Sequence, residues 1–319
     1  MRKVWVMSSY RKNQKTEKRG IDIRRDFHKN WQIYLMILPI IVYFFVFSYL
    51  PMGGVVIAFK NYSPAKGIIH SQFVGLKYFK DFFGSFYFGR LVKNTLMISI
   101  SVLIFSFPCP IILALLLNEV HNRHFKKCVQ TISYLPYFMS MVVICGLVKN
   151  FCSSTGFITG IVAAFGGKRQ DLLSNPALFR PIYVISDIWQ TVGFNSIIYL
   201  ASLTGINNEL YEAAAIDGAS RWQQTIHVTL PGIRNTITIM LILALGGLFN
   251  VGYEKIILLY NPMVMETADV IQSFVYRKGL IDAGYSYSTA VGLFNSVVNT
   301  ILLLTANKIS RKYSETSLF

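Results

Sequence analysis

Long apolar runs separated by short polar turns set the pattern of this chain. The first run extends from Ile33 to about Phe59, with Pro39 and Pro51 as expected kinks and a Gly53-Gly54 pair. The second covers about Thr95 to Leu117 and carries Pro108 and Pro110; the third covers about Cys128 to Val148. A glycine-punctuated stretch from Thr155 to Gly167 is too short to cross a bilayer and reads as an outer-face or re-entrant segment. The fourth run covers about Leu178 to Leu203, the fifth Ile233 to Tyr260, and the sixth Tyr285 to Ala306. A short helix is expected near Thr267 to Tyr276, between the last two runs. The prediction is an all-α polytopic membrane protein of six transmembrane helices, with no internal repeat of the kind that builds duplicated carriers.

One polar stretch interrupts this pattern, between the fourth and fifth runs. It reads Glu212-Ala213-Ala214-Ala215-Ile216-Asp217-Gly218-Ala219-Ser220 and continues through Arg221 to Leu230-Pro231. Good helix formers lead into Gly218, which without a Cβ permits a sharp bend. A second helical run from about Ser220 to Thr229 is expected to end at Leu230 and Pro231, because proline has no N–H. Asn207 or Asn208 can cap the first helix, and Glu209 and Glu212 suit the dipole in its first turns. The outcome is an L-shaped, water-facing pair of helices.

Composition agrees with a membrane protein. Hydrophobic residues make up 53% of the 319 and charged residues 14%, well short of the roughly 25% charged residues of a soluble domain. Mean hydropathy is +0.45. The net charge of +16 does not signal nucleic acid, since ten of the 31 Lys and Arg lie between Arg2 and Lys29. A basic tail ahead of a first span follows the positive-inside rule and the attraction of anionic membrane lipids. The domain reading is therefore a basic cytosolic tail over residues 1–30 and a six-helix transmembrane domain over 31–319, with both termini in the cytosol. Lysines and Arg90 in the loop from Lys60 to Asn94 run against this orientation; the more basic tail outweighs them.

The polar loop, with its Glu-Ala-Ala, its Gly six residues after the Glu, and its closing Leu-Pro, resembles the EAA loop of ABC importer permeases. Further resemblance runs through Leu248 to Ile256, Glu266 to Val270, Tyr276 to Leu280, Ala290 to Asn295 and the end Ser314 to Phe319. These segments, with Tyr49 to Met52 and Ala58 to Tyr62, resemble the LplB-like branch that imports complex carbohydrates. Asn235 and Asn207-Asn208 depart from the family's usual prolines but leave the bend and the cap intact. The resemblance implies a type I importer architecture with a coupling loop at about 207–232. Tyr211, Glu212, Ala213, Ala214, Asp217, Gly218, Ala219, Leu230 and Pro231 would then serve coupling to an ATPase. It further implies a second homologous permease, two ATPase subunits or a homodimeric ATPase, an extracytoplasmic solute-binding protein, and alternating access in a bacterial cytoplasmic membrane. The solute would be an oligosaccharide released from a complex polysaccharide. An importer of a peptide or amino acid, or a membrane-embedded enzyme, are the alternatives.

The chain itself has no phosphate-binding loop. Gly166-Gly167-Lys168-Arg169 comes nearest, but Val162 stands where the first glycine belongs and Arg169 where Ser or Thr should follow the lysine. ATP and magnesium therefore belong to partner subunits. His121 and His124 share a basic turn without a third ligand, and the four cysteines show no paired spacing, so neither metal nor disulfide chemistry is expected.

Asp187, near the middle of the fourth run, is the ionisable residue to explain, because a carboxylate at that depth faces water or a partner. It is either an acceptor for sugar hydroxyls, a gate element, or a structural partner of a neighbouring Asn or Tyr. Trp189, Asn195 and Tyr199 join it as a tentative substrate path, with Phe249 and Asn250 in the fifth run. Gly246-Gly247 and Gly252 around them are expected to unwind that helix locally, while Glu254-Lys255 lies nearer the outer end, where it snorkels or pairs.

Overall fold

The computed structural model describes residues 23–313; residues 1–22 of the expected 1–30 tail, and residues 314–319, lie outside the described residues. The chain divides into two units, residues 1–55 and residues 56–319. The first unit is a helix, α1 (Ile23–Phe44), continued by a wider turn over Phe45–Tyr49.

The boundary between the units, at Val56, falls within a 3-10 stretch over Gly53–Phe59. A two-residue ladder pairs β1 (Lys60–Asn61) with β2 (Gln72–Phe73) in antiparallel register, Lys60 opposite Phe73. The helices follow: α2 (Lys77–Phe83), α3 (Phe86–Ser101), α4 (Pro108–Glu119), α5 (Arg123–Tyr134), α6 (Met141–Cys152) and α7 (Phe157–Ala164). Then come α8 (Pro176–Leu203), α9 (Asn208–Ile216), α10 (Arg221–Gln224), α11 (Arg234–Gly246), α12 (Tyr253–Leu259), α13 (Ile271–Tyr276) and α14 (Tyr285–Tyr313).

Among the described residues, four helical runs are long and apolar enough to cross a membrane: His28–Phe59, Phe86–Glu119, Met141–Ala164 and Tyr285–Lys312. A fifth qualifies if Arg221–Gly232 and Arg234–Gly246, bent by 62°, count as one. Helix α8 has the length, 28 residues or about 42 Å at 1.5 Å per residue. Its Arg180, Asp187, Gln190 and Asn195 account for its lower apolarity.

Three prolines share one accommodation. Pro51, Pro108 and Pro231 each follow a five-residue π-type turn, at Phe45–Tyr49, Val102–Ser106 and Thr225–Thr229. A proline in a helix lacks an N–H and its ring strikes the carbonyl four residues back. Widening the preceding turn to i→i+5 bonds, as in Phe107 N–H to Val102 O, moves that carbonyl aside without breaking the run.

Two predicted boundaries change. The second span starts at Phe86 rather than Thr95, because Arg90 and Lys93 sit on the helix itself. The third predicted span, Cys128 to Val148, is divided: α5 gives way to a 3-10 turn at Leu135–Phe138 containing Pro136, and α6 restarts under a Ser140 cap. The apolar run there is Met141–Ala164.

Helix α8 is the centre of the second unit, packed most extensively on α4 and also on α5, while α11 packs along α14. Gly193 allows the α5 contact, since a Cβ there would strike the Ser133 carbonyl. One buried cluster joins Ile98, Cys145, Phe179, Tyr183 and Ile256; another joins Phe82, Leu91, Phe249, Phe274 and Val291. Apolar side chains such as Phe105, Leu116, Ile185 and Ile301 remain more than half exposed, as lipid-facing positions do.

Candidate functional site

The polar loop folds as two arms around Gly218. The Asn207 side chain accepts from Glu209 N–H and starts α9; Glu209 lies in the first turn of that helix and Glu212 in the second. Gly218 adopts φ +77°, the left-handed conformation that glycine takes without penalty. Ser220 then caps α10 in a reciprocal box with Gln223. Across the bend the hydroxyls of Tyr211 and Thr229 lie 3.0 Å apart, and Ala219 N–H donates to Ala214 O at 2.9 Å.

The second arm does not stop at Leu230-Pro231. Its π-type turn absorbs Pro231, the helix continues over Leu230–Gly232, and the direction changes at Ile233. Tyr211, Ala214, Ala219 and Leu230 are half-buried, whereas Glu212, Ala213, Asp217 and Pro231 are exposed. Exposed beside them are Leu210, Ile216 and Trp222, the last two at 86% and 72%, which the motif-based reading missed. Large apolar side chains held this far open on a capped, ordered loop form a surface suited to a protein partner.

Both arms lead to one cavity. Helix α8 runs into α9 from one side, and α10 runs through the 62° bend into α11 on the other. Helix α11 ends at Gly246, and the chain leaves helical conformation until Tyr253, the local unwinding expected from its glycines. A cavity of about 450 Å³ opens at this break. Asp187, Asn195, Tyr199 and Asn250 line it, together with Ser106, Thr191 and Lys255.

Asp187 is not a lone carboxylate. Ser106 donates to its Oδ2 at 2.7 Å, and Lys255 Nζ stands 3.9 Å from Oδ1. Lys255 was expected nearer the outer surface; the helix break instead turns α12 inward, so this lysine is only 2% exposed. Its ammonium lies 5.1 Å from the Tyr183 ring centroid, a cation–π distance. On the other wall, Asn250 Oδ1 accepts from Gln272 Nε2, Asn295 Nδ2 and Asn299 Nδ2 at 2.8, 3.1 and 2.9 Å. The unwound segment is thereby tied to α13 and α14.

Two predicted path residues do not reach the cavity. Trp189 is two positions from Asp187, about 200° around the helix, and is 41% exposed on another face. Phe249 packs with Phe82, Leu91 and Phe274, while its N–H donates to Asn299 Oδ1 at 2.9 Å.

Comparison with known proteins agrees with this arrangement. The chain is 43% identical over 305 residues to Protein LplB of Bacillus subtilis (strain 168), covering 95% of this chain and 96% of that protein. It is 44% identical over 290 residues to the polygalacturonan/rhamnogalacturonan transport system permease protein YteP of the same organism, covering 90% of each. Among solved structures, it superposes with a TM-score of 0.84 and 45% identity on a chain of a bacterial ABC transporter involved in import of the acidic polysaccharide alginate. That match covers 92% of this chain and 99% of the other. A chain of a bacterial alginate ABC transporter solved in complex with an alginate pentasaccharide-bound periplasmic protein matches with the same TM-score and identity. A chain of the MetNI methionine transporter, at TM-score 0.52 and 15% identity, shares the fold alone. Residues 82–315 match the family described as binding-protein-dependent transport system inner membrane component, and the chain belongs to that family.

Proposed function

We propose that this chain is one of two permease subunits of an ATP-driven importer that takes up oligosaccharides cut from a complex polysaccharide. An extracytoplasmic binding protein delivers the solute, and separate ATPase subunits, carrying ATP and magnesium, dock on the loop at 207–232. The chain sits in a bacterial cytoplasmic membrane with both termini on the ATPase side.

The observation that carries this reading is the continuity of loop and cavity. From Asp187 to Leu203, α8 is a rod of about 24 Å, joined through Thr204 to Ile206 to the first arm of the loop. The second arm bends into α11, whose far end is the broken segment bearing Asn250. Displacement of the loop by a closing ATPase pair is transmitted along both helices to opposite cavity walls. The walls mix apolar side chains with hydroxyl, amide and charged groups, a lining that suits the C–H faces and hydroxyl rims of sugars.

The test is retention of the ATPase. Trp222→Asp places a charge on the exposed apolar surface of the second arm. The variant permease pair should insert normally yet lose most of the ATPase on affinity purification. Full retention, with normal binding-protein-stimulated hydrolysis, would remove the loop from the docking surface.

A further inference from the structure

Helix α5 belongs to neither the coupling loop nor the cavity, yet its two kinds of exposed residue are sorted. Phe125, Cys128, Ile132 and Leu135 recur at helical spacing, within an arc of about 80° on one face. Phe125, Ile132 and Leu135 are each more than half exposed, and Cys128 is exposed between them. Cations fill the first turns: Arg123 and Lys127 are exposed and Lys126 is half-buried. Among the described residues none of the three has a salt-bridge partner. No acidic residue occurs between Glu119 and Asp171.

The packing fixes the end of the molecule at which these cations stand. Cys152, at the end of α6, packs with Leu172 and Leu173 just before α8. Ser133 of α5 instead meets Gly193, in the second half of α8. The chain from α5 to α6 therefore runs antiparallel to α8, and Arg123 lies toward the Leu203 end, which carries the coupling loop.

We infer that α5 docks on an anionic lipid leaflet, with its apolar stripe against acyl chains and Arg123, Lys126 and Lys127 donating to phospholipid phosphates. A helix with an apolar face and basic polar positions belongs at the boundary between headgroups and acyl chains, and its cations favour anionic lipid. The coupling loop also exposes apolar side chains, Leu210, Ile216 and Trp222, but sets Glu209, Glu212 and Asp217 among them. An anionic leaflet repels those carboxylates and attracts the α5 cations, so charge separates a protein-facing surface from a lipid-facing one. Calling the leaflet cytosolic rests on the orientation proposed above; the contact itself does not.

The probe is the native thiol of Cys128 on the stripe, labelled with bimane in the complete transporter after its other cysteines are replaced. Nanodiscs of phosphatidylcholine receive a trace of phosphatidylglycerol or of phosphatidylcholine, each bearing the same acyl-chain nitroxide. The phosphatidylglycerol nitroxide should quench bimane about five-fold more effectively. Arg123→Gln with Lys126→Gln and Lys127→Gln should bring that ratio to about one, while Lys126→Arg with Lys127→Arg should keep it. Should the triple variant assemble poorly, Arg123→Gln with Lys127→Gln, at exposed positions only, should still about halve the ratio. No quenching by either lipid would place a protein surface over the stripe, and equal quenching would leave the cations without a lipid role; either result overturns the proposal. So does a preference unmoved in the Gln variants, or one abolished by inorganic phosphate but not by chloride at matched ionic strength, which would assign the cations to a soluble anion.

Discussion

The carboxylate of Asp269 and the guanidinium of Arg277 meet at 2.7 Å, with the Asp269 side chain fully shielded from solvent. The same carboxylate accepts from Ser273 Oγ at 2.8 Å and faces Arg90 of α3 at 3.7 Å. Its backbone carbonyl accepts from Asn94 Nδ2 at 2.9 Å, and Arg180 of α8 donates to Asn94 Oδ1 at 2.8 Å. The buried carboxylate therefore ties α3 to the segment around α13, and the Asp269 backbone carbonyl, through Asn94, links Arg180 of α8 to the same knot.

Asp269→Asn should destabilise the subunit by roughly 2–4 kcal/mol, because it keeps the shape but strands two partly buried guanidinium groups beside each other. The measurement is thermal unfolding of the purified complex in detergent. An unchanged melting temperature would mean that this knot does not hold the segment leading into α13. Arg90→Met should be milder, since Arg277 keeps the short contact.

Features that depend on neighbours in sequence were legible in advance. A cap at Asn207 or Asn208 (the structure uses Asn207), the Ser220 start of the second arm, the bend at Gly218 and the unwinding between Gly246 and Gly252 follow from backbone chemistry within a few residues. Contacts between distant segments were not. Lys255 and Asp187 are far apart in sequence, and only the path of the chain around the helix break brings them together. Asp269 and Arg90 pose the same problem, since Arg90 alone reads as a loop cation. The division of the third predicted span was missed for another reason. An apolar window does not register that Pro136 and Ser140 end one helix and begin the next.

Tyr211→Phe removes the hydroxyl that meets Thr229 across the coupling loop. Thr229 Oγ1 retains the Gln224 carbonyl at 3.3 Å, so no polar group is left stranded. The expected loss is about 1 kcal/mol of local stability, seen as faster hydrogen exchange in α9 and α10 with unchanged protection in α8 and α14. Unchanged exchange in the loop would show that the hydroxyl contact does not brace the two arms.

Orientation is tested with single cysteines in a cysteine-free background, at positions the structure leaves exposed. Ile69 is 83% exposed between β1 and β2, and Arg221 and Lys308 are also exposed. An impermeant maleimide applied to intact cells should label Ile69→Cys and spare Arg221→Cys and Lys308→Cys until the membrane is opened. Labelling of Arg221→Cys from outside would place the loop away from ATP and remove the coupling role.

Gly218 gives the most discriminating test of that role, because its surroundings separate backbone strain from crowding. No atom lies within 4 Å of where a Cβ would stand, so a side chain there meets open space. The penalty of a substitution therefore comes from φ +77° alone. A β-branched residue in that conformation costs about 1–2 kcal/mol or more, whereas asparagine adopts it at a lower cost. Gly218→Val should open the bend and displace Trp222 and Ile216 relative to α9, while Gly218→Asn should preserve both. Expression and insertion should match wild type in each case, since no span is altered. Binding-protein-stimulated ATP hydrolysis in reconstituted membranes should be lost or cut about ten-fold in Gly218→Val and largely kept in Gly218→Asn. Wild-type stimulation in Gly218→Val would mean that the angle between the arms is immaterial to coupling. Equal loss in both variants would mean that the exposed glycine surface itself, rather than its left-handed backbone, is what the ATPase contacts.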